Sequence, residues 1–225
     1  MRTGIELHQA RVHYGPLEAL HGVTLAAPSP GLTILLGRNG SGRTTALRAL
    51  AGTAPLTTGT VTWDGTDVTH LSAHERARRG LAFVPEGQAV FGHLTVDENL
   101  HLYGGGGPKA DITPALKAYP ELRPLLPRRA GTLSGGEQRM LALTRTLLAA
   151  HARVTLIDEP VQAMSPTTAA RTYELLTSLS AHTCVVTAEQ RLPPGLREHA
   201  SRTAVVVHEL RRGAVAFSGE ASELS

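Results

Sequence analysis

The chain has 225 residues, 41% of them hydrophobic, enough apolar material to bury one good-sized core and too much for a disordered tail. Its formal net charge is only +3 although 20 of its 22 basic residues are arginines, and the densest clusters, Arg76-Ala77-Arg78-Arg79 and Arg128-Arg129, lack the interleaved aromatics that stack on bases. They read as solvated surface, and no nucleic-acid partner is expected.

In chain order, Ile5 to Tyr14 and Leu17 to Ala26 alternate loosely and predict two antiparallel strands before the turn at Pro28-Ser29-Pro30-Gly31. Leu32-Thr33-Ile34-Leu35-Leu36 is a continuous apolar run of the kind that forms a buried parallel strand. It leads straight into Gly37-Arg38-Asn39-Gly40-Ser41-Gly42-Arg43-Thr44-Thr45, and Thr44 to Ala51 then predicts a helix stopped by Gly52. Val61-Thr62-Trp63 predicts a strand entering an Asp64-Gly65 turn, with Trp63 packing in the core. A further strand, Leu81 to Val84, precedes Pro85-Glu86-Gly87-Gln88.

From Thr95 to about Ala150 the pattern is mostly helical, broken by a glycine loop at 104–108 with no strand before it to make it a phosphate site. Strands return at Val154 to Ile157, at Thr183 to Thr187, at Thr203 to His208 and at Ala214 to Phe217. Cys184 is the only cysteine; it suits a reducing compartment and reads as a buried core thiol. No apolar run approaches the roughly 18–20 residues of a membrane helix, and the start of the chain carries no signal-peptide pattern. This alternation predicts an α/β fold with a parallel sheet core, an N-terminal antiparallel β subdomain and an inserted helical subdomain; with the glycine loop after Leu32 to Leu36, that core resembles a P-loop NTPase.

Three motifs carry chemistry. The loop from Gly37 to Thr45 lets backbone N–H groups wrap around phosphates at the start of a helix, because its glycines Gly37, Gly40 and Gly42 remove side-chain bulk beside Arg38, Asn39 and Ser41. Thr44 stands where its hydroxyl would ligate Mg2+, and Thr45 can add a phosphate contact. Arg43 stands where a lysine would reach the β and γ phosphates; the swap keeps the charge but replaces a compact ammonium by a wide planar fork, which favours binding over hydrolysis. Downstream, the apolar run from Val154 ends in Asp158-Glu159, two carboxylates that a buried strand end tolerates only with cations or donors to meet them. Between the two, Leu133-Ser134-Gly135-Gly136-Glu137-Gln138-Arg139 opens a helix with Ser134 as N-cap and bare N–H groups that attract an anion. The 11 histidines show no metal-ligand spacing, so no zinc or iron site is assigned.

In this order the three motifs resemble the ATPase subunit of an ATP-binding cassette (ABC) transporter, and the resemblance spans essentially the whole chain. It implies a single nucleotide-binding domain over 1–225, with 1–85 and 151–225 forming the ATP-binding core and about 86–150 the helical subdomain. It implies ATP and Mg2+ as cofactors, with Asp158 holding the metal, Glu159 orienting the attacking water, and Ser134, Gly135, Gly136 and Gln138 closing over the nucleotide of a second cassette paired head to tail. Tyr14 matches the aromatic that stacks on adenine. Glu86, in Val84-Pro85-Glu86-Gly87, matches a variant found in branched-chain amino-acid importer ATPases, where it replaces a metal-contacting glutamine. Gln190 falls at the switch histidine, where the same importers tend to carry Glu-Gln. Residues 160–166 depart from that subfamily in a segment that crosses the cassette interface. The implied protein is cytoplasmic and peripheral on the inner face of the cell membrane, bound to membrane-spanning permease subunits. Altered motifs at Arg43 and Gln162 beside an intact Ser134 to Gln138 favour a heterodimer, in which a degenerate cassette with little hydrolysis completes its partner's active site.

Overall fold

A computed structural model of the chain describes residues 2–87, 89–103, 110–149, 151–193 and 205–224; the glycine loop expected at 104–108 and the first two residues of the strand expected from Thr203 lie outside them. Two sheets form. The first has four antiparallel strands in the order β2-β1-β4-β5, built from β1 (Arg2–Tyr14), β2 (Leu17–Ser29), β4 (Thr58–Trp63) and β5 (Thr66–Asp67). The second has six strands in the order β10-β9-β3-β8-β7-β6: β3 (Gly31–Leu36), β6 (Leu81–Val84), β7 (Val154–Asp158), β8 (Cys184–Glu189), β9 (Val205–Arg211) and β10 (Ala214–Glu220). Only the β9–β10 pair in this sheet is antiparallel.

Every residue of β3, β7 and β8 is buried, because helices or the other sheet cover both faces; this is why these strands read as unbroken apolar runs. Along β3 the faces divide. Leu35 joins α1 (Arg43–Ala51) and the inward residues of the antiparallel sheet, such as Leu20, Val23 and Leu25. Leu32, Ile34 and Leu36 face the opposite way, with Val185, Val205 and Val207 under α6 (Pro166–Ser180). Between β6 and β7 in sequence lie α3 (Val96–Tyr103), α4 (Thr113–Ala118) and α5 (Gly135–Leu148). Their apolar faces share a third cluster with Val84 and Ile157, so the helical block is seated on the ends of β6 and β7.

Local chemistry sets the joints. Asp64 and Gly65 both take positive φ, 50° and 76°, the geometry of a two-residue hairpin that Asp-Gly favours. Gly52 ends α1 in the left-handed region at φ 77°. Arg76 departs from the solvated surface expected of its cluster: on α2 (Ala73–Arg78) it is 2% exposed. Its guanidinium donates to the carbonyls of Ala49 and Leu50 at the end of α1, at 2.8 and 2.7 Å, and to those of Val68 and Leu71 at 2.8 and 3.1 Å. A buried cation without a carboxylate partner is tolerated here because several carbonyl oxygens converge on it, two of them at the end of α1, where they carry partial negative charge.

Because β3, β6, β7 and β8 run parallel, their C-terminal ends meet at one edge of the sheet, where ligands of open α/β sheets bind. There stand the loop 37–43, Glu86, Asp158-Glu159 and Glu189-Gln190.

Candidate functional site: a phosphate cradle beside a carboxylate cluster

The cradle is held from three sides. Gly37 N–H donates to Glu189 O at 3.1 Å, Ser41 N–H to Arg38 O at 3.0 Å, and Gly213 N–H to Ser41 O at 2.9 Å, which ties the loop to the β9–β10 turn. Gly42 sits at φ 102°, and a Cβ there would come within 2.9 Å of Leu20 Cδ2, so both conformation and space demand glycine. The first hydrogen bond of α1 runs from Ala46 N–H to Gly42 O. The amides of Arg43, Thr44 and Thr45 therefore point out of the helix start with no intrahelical acceptor. The loop opens into a pocket of about 610 Å³. Its lining includes Tyr14, 43% exposed, and the exposed Leu17, together with Glu86 and Glu159.

Arg43 does not extend freely into this pocket as a lysine-like arm. Its Nη2 lies 3.0 Å from Glu159 Oε1, with the two side chains 5% and 13% exposed, and its Nε and Nη1 have no hydrogen-bond partner. Next to it, Asp158 at the end of β7 is 1% exposed, and neither of its carboxylate oxygens has a partner. Burial, reinforced by Glu86 and Glu159, holds its carboxyl above the usual aspartate range, against the pull of Thr44 and Arg43. A buried carboxylate with no well-formed hydrogen bond is costly, and it suits a cation. Among the described residues no group of three or more His, Cys, Asp or Glu side chains forms a closed metal cage. An open set fits Mg2+, which keeps waters and takes one or two carboxylates together with substrate phosphates.

Around this centre the structure brings in residues that spacing did not single out. Arg139 of α5 is buried and donates to Pro85 O at 2.7 Å and to Asp158 O, fastening the helical block to the ends of β6 and β7. It belongs to the Ser134–Arg139 motif, so its position was visible in the sequence and its inward direction was not. Glu189 is buried at the end of β8 and accepts from the Tyr173 hydroxyl at 2.6 Å. Burial, with Glu159 nearby, pushes its carboxyl up to about 8. Its neighbour Gln190 is exposed and lies on the other side of the loop, lining a second pocket with Arg38 and Asn39. Glu86 is exposed and accepts from Gln162 Nε2 at 2.9 Å.

Ser134 caps α5 reciprocally with Glu137: its Oγ accepts from Glu137 N–H at 3.3 Å, while the Glu137 carboxylate accepts from Ser134 N–H at 2.7 Å. A Cβ on Gly136 would sit 2.6 Å from Ala163 O, so the segment after β7 packs directly on the start of α5. Gln138 donates to Leu133 O at 3.2 Å. Ser134, Gly135, Gly136 and Gln138 do not line the cradle of their own chain; Gly135 and Gln138 border a separate cleft of about 160 Å³.

Strand, cradle, helix start and paired carboxylates together define a P-loop ATPase. The family model described as ABC transporter matches residues 20–162. Over 217 residues, 94% of this chain and 89% of the relative, the sequence is 35% identical to the probable branched-chain amino acid transport ATP-binding protein LivF of Archaeoglobus fulgidus. It is 33% identical to the high-affinity branched-chain amino acid transport ATP-binding protein BraG of Pseudomonas aeruginosa, over 78% of this chain and 76% of that one. The chain belongs to the ABC transporter family and is one of its ATP-hydrolysing subunits. A nucleotide-free ATP-binding cassette from an ABC transporter superposes with a TM-score of 0.80 at 23% identity, covering 97% of this chain and 91% of the other, and shares its fold.

Proposed function

We propose that the chain is the ATP-binding subunit of a solute importer, with a branched-chain amino acid or a similar polar solute as cargo. The relatives' names support the cargo class; no residue described above contacts a solute, and selection of cargo is assigned to separate permease subunits. Among the described residues no helix is long and apolar enough to cross a membrane, and the proposed location is peripheral, on the cytoplasmic face beneath those subunits.

The observation that carries the reading is the buried, unpartnered Asp158 beside the cradle. The amides at the start of α1 receive the phosphates, and Tyr14 and Leu17 provide the apolar wall for adenine. Asp158, Thr44 and Glu86 would hold Mg2+, which when bound neutralises phosphate charge. Glu159, which lines the pocket, orients the attacking water. Ser134 to Gln138 close over the nucleotide of a second cassette, which explains why they lie away from their own cradle. Nucleotide then shifts the pair between open and closed states, and the segment around Glu86 passes the change to the permease.

One observation favours a second reading, in which this chain binds ATP with little turnover and completes the active site of a different cassette. Arg43, the substituted residue, is committed to Glu159, whereas the Ser134 to Gln138 cap is fully formed. Phosphate release by the assembly with its membrane subunits tests both. A Glu159→Gln chain is expected to bind ATP and to lower turnover by at least about a hundredfold. Unchanged turnover contradicts the role of Glu159 and leaves the second reading.

A further inference from the structure

The buried pair of Arg43 and Glu159 has a surplus that a phosphate cradle does not explain. Arginine presents its N–H donors in a planar fork, yet Arg43 offers one carboxylate oxygen a single nitrogen at 3.0 Å while its Nε and Nη1 stay buried without acceptors. Carboxyl groups surround its charge, but two of its donors are left unsatisfied where it stands. Arg43 is also the first residue of α1, one position past Gly42, and it lines the same pocket as the cradle. A group with more acceptor oxygens than a carboxylate, delivered on the cradle side, would satisfy the idle donors. The terminal phosphoryl of a nucleoside triphosphate is such a group.

We propose that Arg43 is a positioning residue that clamps Glu159 until the terminal phosphate of a bound triphosphate takes the guanidinium from it. The proposal rests on the ATPase reading above. Of the two phosphates within reach of position 43, the β phosphate is already met by the backbone amides of the cradle, so a diphosphate leaves the clamp closed. A triphosphate recruits Arg43, and the same movement releases Glu159 toward the pocket. Engagement of the last phosphate and release of the carboxylate are then one equilibrium, so whatever weakens the pair strengthens triphosphate binding and leaves diphosphate binding unchanged. Arginine suits this role better than lysine, because a fork committed to one partner must be exchanged as a unit.

Calorimetric titration of the purified full chain, at concentrations where light scattering shows monomer, tests this with ADP and a non-hydrolysable ATP analogue. Glu159→Gln is expected to tighten the analogue about tenfold and to change ADP by less than about twofold, the scale of one charge-assisted hydrogen bond. In an Arg43→Met background, or Arg43→Gln if the methionine variant does not fold, adding Glu159→Gln is expected to change neither ligand. Equal tightening of the analogue in that background would mean simple repulsion between Glu159 and the phosphate, and would overturn the clamp. So would equal effects on both nucleotides, or none, in the single variant. Failure of every variant to take up either nucleotide would instead reject the ATPase reading itself.

Discussion

Glu189 shows how far a single residue can be displaced from its ordinary chemistry by its place in the sheet. Burial comes first and the nearby Glu159 adds to it, and together they outweigh the Tyr173 hydrogen bond and the pull of Arg43 and Arg139, leaving the carboxyl at about 8. An acid whose folded pKa lies above its unfolded value binds its proton more tightly when folded. The folded state is therefore penalised as pH rises from about 4.5 through about 8. Glu189→Gln keeps an acceptor for the Tyr173 hydroxyl and removes the titration. It is expected to raise the midpoint of thermal unfolding at pH 8, by an amount corresponding to on the order of 4 kcal/mol, with the gain vanishing near pH 4.5; an equal effect at both pH values would contradict the assignment. Nothing in the sequence distinguishes this carboxylate from Gln190 beside it, which drew attention by resemblance alone. One is sealed behind Tyr173 and the other stands in solvent, a difference that arises only when α6 packs against β8.

At the scale of elements, strands covered on both faces were the most legible, because β3, β7 and β8 have no solvent face to write polar residues into. The start of α5 was legible as well, since Ser134 followed by Glu137 is the pattern of a reciprocal cap. Arg76 was not. In sequence it belongs to a basic cluster; in the fold it joins α2 to the end of α1 through carbonyls as far as 27 positions away. Replacing it with methionine would remove all of these hydrogen bonds in a buried place, and Arg76→Met is expected to cost about 3 kcal/mol. Denaturant unfolding of the variant checks this, with a shift under about 0.5 kcal/mol, typical of an exposed residue, as the contrary result. The segment after Glu159 is a mixed case. Its departure from the subfamily was visible, but not that Ala163 would take a positive φ of 61°. That is the left-handed shape glycine adopts freely, and alanine holds it at some cost in strain.

For the molecule as a whole, the glycine loop and Asp158-Glu159 each follow an apolar strand and meet because parallel strands deliver their C-terminal ends to one edge, while Ser134 to Gln138 stand apart from them. The direction of the side chains there was not foretold. Arg43 lines the cradle pocket and also pairs with Glu159, a contact its spacing did not announce; Arg139 was part of a motif and proved to be a strut between layers. Such pairings depend on how α1 and α5 are seated against β7, and spacing within one segment carries no record of its neighbours. The account stands on the cradle of amides at the start of α1. Its most direct test is calorimetric titration of the full chain with ATP and Mg2+, beside a Gly42→Val variant shown to be folded. The account predicts one nucleotide per chain for the natural sequence and loss of uptake for the variant, whose side chain has no room against Leu20; no uptake by the natural chain, or equal uptake by both, would contradict it.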